Sequence, residues 1–317
     1  MMRKYEIRIA SAVLTALTLL FCLVGECFAS EIGRLRHIDY NGTDYIEKTS
    51  MTPLLLLGID QTKEQEKGEN REGGQADFIL LLMIDHNEKV IHQLQIDRDT
   101  IMEVPTANVF GQKNGTRITQ ICLAHAFGGG SEVGCAFMAE ALEVFLSIDI
   151  PLYLSIDLNA IGKINDALGG VTVVLPEDYT KYDPAMLKGA ELTLNAEQAE
   201  YLVRSRMNVG DGTNASRMIR QRTYLSAAGE QFKAMFKQDS GFFDRLLDLL
   251  AEDMVTNVSR GRLMNEMNRA LYYDILPVET LTGEYTVGDD GFVEFHANEE
   301  CVRGWIFDTC FIPNTPY

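Results

Sequence analysis

The residues best suited to chemistry in this chain are arginines. Arg98 ends a β-prone run and stands between Asp97 and Asp99. Arg204 and Arg206 lie two residues apart, so an extended segment would point both to one face. Arg217, Arg220, Gln221 and Tyr224 follow the i, i+3, i+4, i+7 spacing of a single helix face. Planar guanidinium groups grip phosphate and diphosphate through paired hydrogen bonds. Carboxylates accompany them: Asp60 closes the apolar run PLLLLGID and Asp77 opens the next one. On adjacent strands the two would share a crevice, where hard oxygens suit Mg²⁺ bridging a diphosphate. Taken singly, each arginine fits a solvated charged face and each aspartate an ordinary loop; their clustering at probable element ends is what points to a site.

Other chemistries lack their motifs. The sequence holds no GxSxG, Walker lysine, HExxH or CxxC, and His37, His86, His92, His125 and His296 are scattered. Gly128-Gly129-Gly130 has no following Lys-Ser/Thr and reads as a turn. With 28 Lys+Arg against 46 Asp+Glu, the 317-residue chain carries a formal charge of −18. Duplex nucleic acid needs a basic face to release phosphate counterions, so that partner is excluded, as is electrostatic adhesion to anionic lipid. An anionic ligand must therefore be held by clustered arginines or through a divalent cation.

The N-terminus sets the compartment. Arg3, Lys4 and Arg8 precede an apolar run from Ile9 to Gly25, which Glu26 stops. A positive flank keeps the N-terminus in the cytoplasm and sends the rest outside. The run is short for a span and long for a signal core, so a single membrane anchor and secretion after cleavage near Ala29 both stand. Nucleotides are scarce out there; lipid-linked sugar diphosphates are not. Cys22 and Cys27 belong to the leader, leaving Cys122, Cys135, Cys301 and Cys310. An even number in an oxidising compartment suggests the local disulfides Cys122–Cys135 and Cys301–Cys310, with free buried thiols as the alternative.

Strands and helices must position these groups. Pro53–Asp60 and Phe78–Asp85 are continuous apolar runs of doubly buried strands, and Lys89–Ile96 alternates with period two. Between the first two lies a polar stretch, 61–75, containing three glycines, which suits a loop. Helices are expected over 119–127, 132–146, 158–168 and 216–237, with two more in 241–273. Asn195 with Gln198 forms a capping box that starts a helix running to about Leu202. Strands are expected at 152–156 and 171–175, and Gly288-Asp289-Asp290-Gly291 marks a hairpin. Alternating strands and helices predict an α/β protein, a three-layer α/β/α sandwich around a mixed sheet. The division is a signal or anchor segment over 1–30, a linker over 31–52, a catalytic domain over 53–240, and helices plus a hairpin over 241–317 packed on it.

LLLLGID at 54–60, ADFILLLMID at 76–85, QIDRDT at 95–100, RITQICLAHAFGGG at 117–130, NDALGGVTVVL at 165–175, and LNAEQAEYLVRSR with DGTNASRMIRQR at 194–222 follow in order. Together they resemble the LytR-CpsA-Psr family of Gram-positive cell-wall proteins. The resemblance implies transfer of a glycopolymer from an undecaprenyl-diphosphate carrier to a muramic acid 6-hydroxyl of peptidoglycan, at the membrane. It further implies that Asp60 and Asp77 hold Mg²⁺, or Mn²⁺ in its place. Arg98, Arg204 and Arg206 would act on the diphosphate, with Asp99 orienting Arg98. Arg117, Arg217, Arg220 and Gln221 would bind substrate. The general base is not evident. Three positions depart from the family's pattern. Gln75 stands where an arginine is frequent, Asp97 where a proline is usual, and Asn214 where aspartate is common, with Asp211 as a nearby substitute. Two other readings share the same arginines: a non-catalytic polyprenyl-(di)phosphate-binding module, and a lipid-diphosphate pyrophosphatase.

Overall fold

The computed structural model describes residues 36–40, 42–61, 73–108, 110–205 and 209–314. The N-terminal segment, Arg206 and most of the polar stretch after Asp60 lie outside the described residues. The chain divides into two compact units, one of residues 1–49 with 310–317 and one of residues 50–309.

In the first unit β1 (His37–Tyr40) pairs antiparallel with β2 (Thr43–Glu47), and β2 also takes a strand from Phe311–Pro313. Strands therefore stand where the polar composition of 31–52 suggests a linker. They carry little apolar burial, so ladder hydrogen bonds form this sheet where periodicity gives no signal.

In the second unit the apolar runs become β3 (Met51–Asp60) and β4 (Gln75–Asp85), antiparallel neighbours, with β5 (Val90–Gln95) antiparallel to β4. Next come the hairpin β6 (Ile101–Ala107) and β7 (Lys113–Gln120), then α1 (Leu123–Phe127), α2 (Ser131–Leu146) and β8 (Leu152–Asp157). A 3-10 turn at Leu158–Ala160 leads into α3 (Ile161–Ala167), β9 (Val171–Val174), β10 (Glu191–Leu194), α4 (Ala196–Arg204) and the long α5 (Asn214–Gln238). The chain continues through α6 (Phe242–Leu249), β11 (Met254–Thr256), α7 (Arg260–Ala270) and β12 (Asp274–Thr280). A hairpin of β13 (Gly283–Val287) and β14 (Val293–Ala297) and then α8 (Glu299–Cys310) follow, before the chain returns to the first unit as β15 (Phe311–Pro313).

Six strands form a mixed sheet in the order β11-β8-β3-β4-β5-β12, with β8 parallel to β3 and β12 parallel to β5. The protein is thus of the mixed α/β class. Ile79, Leu80 and Leu81 are consecutive and all buried, so both faces of β4 are covered, as its unbroken apolar run demands. The capping box forms as expected: Asn195 accepts from the Gln198 backbone, and the Gln198 side chain accepts from the Asn195 backbone. The expected helix over 119–127 is shorter, because Thr119 and Gln120 end β7 and pair with Met102 and Ile101 of β6. The triple glycine also has a packing role. A Cβ at Gly73 (φ +123°) would sit 2.4 Å from the Gly130 nitrogen, so here the returning loop and the turn touch backbone to backbone.

The cysteines differ from the expected pairing. Cys122, Cys135, Cys301 and Cys310 are all free thiols. Cys135 Sγ instead donates to Ser155 Oγ at 3.3 Å, and Cys122 Sγ lies 4.0 Å from Gln75 Oε1. Burial pushes the Cys122 thiol up to about 12, although Arg98 pulls it down. At pH 8 its thiolate is then roughly one molecule in ten thousand. Native protein treated with iodoacetamide at pH 8 should be modified at half-buried Cys301 and spared at Cys122 and Cys135, which react once urea is added. Peptide mass mapping reads this directly, and a Cys122-to-Cys135 bridge surviving denaturation would contradict it.

Candidate active site

Antiparallel pairing places the carboxyl ends of β3 and β5 and the start of β4 at one end of the sheet. Asp60 ends β3, Asp77 is the third residue of β4, and Arg98 and Asp99 lie in the turn after β5. The C-terminus of α4 brings Arg204, and the first turns of α5 bring Arg217, Arg220 and Gln221. Residues far apart in the chain meet because each ends or begins an element at the same edge.

Asp77 is the centre. Its Oδ1 accepts from Arg98 Nη1 and its Oδ2 from Arg217 Nη1 at 2.6 Å, while its backbone carbonyl accepts from Gln221 Nε2 at 3.3 Å. Arg98 also donates to Gln75 Oε1 at 2.8 Å and, through Nε, to Asp99 Oδ1 at 3.3 Å. Gln75 thus takes up the arginine fork that a cationic residue there would repel. Asp99 is buried and accepts from Gln120 Nε2 at 3.2 Å, so it orients Arg98 from a fixed position. Beside this cluster, Arg204 Nη2 donates to Asp60 Oδ1 at 2.8 Å and Nη1 to Asn159 Oδ1 at 2.5 Å.

The Asp60 carboxyl is pushed above the usual carboxylate range, first by burial and then by the charge of Asp77; Arg204 and Arg217 oppose the rise. Four groups therefore share one electrostatic neighbourhood. Asp77 raises the Asp60 pKa through its charge, and two neighbouring carboxylates are the kind of donor Mg²⁺ takes, completing its shell with water and phosphate oxygens; here both Asp77 oxygens and Asp60 Oδ1 accept from arginines. No group of three or more His, Cys, Asp or Glu suited to a metal occurs among the described residues.

Arg98, Asp99 and Gln75 open onto a cavity of about 890 Å³. One wall is Arg117, Ile118 and Gln120 of β7 with Leu123 and Phe127 of α1. The other is the C-terminal hairpin, through Asp289, Asp290, Phe292, Glu294 and His296. Arg117 thus stands in the same cavity as Arg98.

Arg220, expected among the substrate-binding residues, has another place. It is 0% exposed, and its guanidinium donates to Ser216 Oγ at 2.8 Å and the Ser205 carbonyl at 2.5 Å. Burial lowers its pKa, and the Arg217 charge adds to that. It braces the end of α4 against the head of α5 instead of facing ligand. Asp211, expected as a substitute carboxylate, accepts from the backbone and hydroxyl of Thr213 at 2.9 and 2.7 Å and so closes the turn before α5. The other two departures meet each other: Asn214 Nδ2 donates to Asp97 Oδ1 at 2.7 Å. The carboxylate of Asp97, whose charge stands next to Arg98 in sequence, is spent on that contact and not turned toward the Arg98 guanidinium.

Sequence reasoning gave the hairpin no part in the site. Tyr285 is 188 positions from Asp97 and the hairpin residues beyond it lie farther still, so no local pattern links them.

The LytR_cpsA_psr family model matches residues 30–302. A relative from Bacillus mycoides, named polyisoprenyl-teichoic acid--peptidoglycan teichoic acid transferase TagU, is 27% identical over 73% of this chain and 68% of its own length. A crystal structure of a Streptococcus agalactiae protein superposes with a TM-score of 0.66 at 20% identity, covering 82% of this chain and 88% of that one. TagT bound to LI-WTA superposes with a TM-score of 0.61 at 20% identity, covering 82% and 90%.

Proposed function

The chain belongs to the LytR-CpsA-Psr family, and on that footing we propose that it is an extracytoplasmic phosphotransferase. It moves a glycopolymer from an undecaprenyl-diphosphate carrier to a muramic acid 6-hydroxyl of peptidoglycan. The observation that carries this reading is Asp77 clamped between Arg98 and Arg217, with the Asp60–Arg204 pair beside it and a large cavity at Arg98. The TagU relative is named for transfer of teichoic acid to peptidoglycan, and the TagT structure holds LI-WTA. Both agree with a lipid-linked donor. The α/β/α layering, an N-terminal span over the run Ile9–Gly25 and a position outside the cytoplasm belong to the same reading.

In this reading the acceptor hydroxyl attacks the phosphorus that bears the polymer. A new P–O bond forms to the sugar, the P–O bond to polyprenyl phosphate breaks, and the hydroxyl proton leaves to solvent or to the departing phosphate. Of the arginines bonded to Asp60 or Asp77, Arg98 and Arg204 keep the most surface, so they neutralise charge on the equatorial and leaving oxygens. Arg217 is buried and holds Asp77 in place. Asp60 and Asp77 would hold Mg²⁺ or Mn²⁺, which supplies Lewis-acid charge neutralisation of the diphosphate when bound.

The test is full-length protein in detergent with a polyprenyl-diphosphate sugar, with and without Mg²⁺ and a peptidoglycan-fragment acceptor. Polyprenyl phosphate release is expected only when both are present, and chelation with EDTA should abolish it. Release without acceptor would make the protein a diphosphatase. Tight donor binding without release under any condition would make it a binding module.

A further inference from the structure

Asp97 is 5% exposed, and its carboxylate touches its own turn and two further elements, α5 and β13. Oδ1 accepts the Asp99 backbone N–H at 2.8 Å and Asn214 Nδ2 at 2.7 Å; Oδ2 accepts the Tyr285 hydroxyl at 2.6 Å. Asn214 in turn accepts from Arg217 Nε at 3.1 Å and Nη2 at 2.7 Å. Arg217 reaches Asp77, and Asp77 takes Arg98, the residue joined to Asp97 by a peptide bond. Hydrogen bonds therefore link Asp97, Asn214, Arg217, Asp77 and Arg98 in series, and the two ends of the series are neighbours in sequence. Asn214, Arg217 and Asp77 each hold two links of this series, so moving any one of them breaks two contacts in a buried setting.

Tyr285 couples this series to the C-terminal hairpin. Its ring packs on Phe295 at 4.8 Å between centroids, and the Phe295 N–H donates to the Asp99 carbonyl at 2.8 Å. Gln120 Nε2 adds a bond to the Val293 carbonyl at 2.6 Å. The hairpin that walls the cavity is thus stapled to the turn carrying Arg98. We propose that Asp97 is a positioning residue for the transfer reaction, setting Arg98 and Arg217 against Asp77, and that Tyr285 extends this control to the hairpin. The inference rests on the transferase reading for its kinetic part only; the link between Asp97 and Arg217 is a property of the ligand-free protein.

The experiment uses the full chain in detergent and the variants Asn214→Asp, Asp97→Asn, the double variant and Tyr285→Phe. Asn214→Asp sets two carboxylates face to face. In the double variant the donor sits on residue 97 and the acceptor on 214, forfeiting only the Asp99 N–H. The Arg217 Nε–H NMR resonance, identified by its loss in Arg217→Lys, should shift in Asn214→Asp and return in the double variant. The donor kcat should fall about 30-fold in Asn214→Asp, with KM within about threefold, and recover to within about fivefold in the double variant. Tyr285→Phe keeps its ring packing and should lower kcat about fivefold with the melting temperature little changed. A resonance unmoved by Asn214→Asp, or a double variant no better than that single one, overturns the proposal. A resonance that shifts and returns while even wild-type protein transfers nothing sinks the transferase reading, and with it the kinetic part, but leaves the Asp97–Arg217 link established.

Discussion

Asp77→Ala should lower the melting temperature by about 10 °C and leave no measurable transfer. The Asp77 side chain is 8% exposed and that of Arg217 3%. Removing the carboxylate leaves two guanidinium groups facing each other in a buried space. Breaking a buried pair by deleting one partner costs about 3–5 kcal/mol, because the remaining charge is desolvated without compensation. For a domain of this size each kcal/mol is worth about 2–4 °C. Arg98 keeps Gln75 and Asp99, and Arg217 keeps Asn214, which places the cost toward the lower end of that range. Asp77→Asn is the sharper comparison. Its amide oxygen can satisfy one arginine while its NH₂ opposes the other, so thermal scanning should place it between wild type and Asp77→Ala. If Asp77→Ala melted with the wild type, the arginine clamp would have no energetic meaning.

How much of this was legible in the sequence depended on whether a signal was local. The runs 53–60 and 78–85 gave their strands because a doubly buried strand must be continuously apolar, and the capping box gave the start of α4 because Asn195 and Gln198 satisfy each other three residues apart. The site's arginines were legible as a cluster since element ends gather at one sheet edge. What stayed hidden was carried by pairing and by distance. β7 is exposed over most of its length and lacks alternation, so Thr119 and Gln120 looked helical until β6 paired with them. Residues 37–47 form strands on hydrogen bonds with little burial. Arg220 shares the helix spacing of Arg217, but spacing cannot tell the face that meets ligand from the face that meets Ser205. Asp97 stands in the sequence only as a departure from the usual proline; the fold supplies its partners, Asn214 and Tyr285.

Arg204→Ala should do the opposite of Asp77→Ala, lowering transfer while sparing the fold. Both Arg204 and Asp60 side chains are 25% exposed, and an ion pair open to solvent contributes about 0.2–1 kcal/mol. The melting temperature should therefore move by no more than about 3 °C. A lost hydrogen bond to a charged oxygen costs about 1.5–3 kcal/mol, so turnover should fall about 10- to 150-fold. The pH profile carries a second signature. Burial and Asp77 hold the Asp60 pKa up while Arg204 and Arg217 hold it down, so deleting Arg204 lets it rise further. Asp60 then keeps its proton to higher pH, and an activity that needs the carboxylate should show an acid limb displaced upward. Arg204→Lys separates the two effects. Its ammonium restores the charge and should return the acid limb toward wild type, but it lacks the planar fork that grips two oxygens, so the rate should recover only in part. Full recovery by lysine would reduce Arg204 to a point charge. An unchanged rate and limb in Arg204→Ala would remove it from the site.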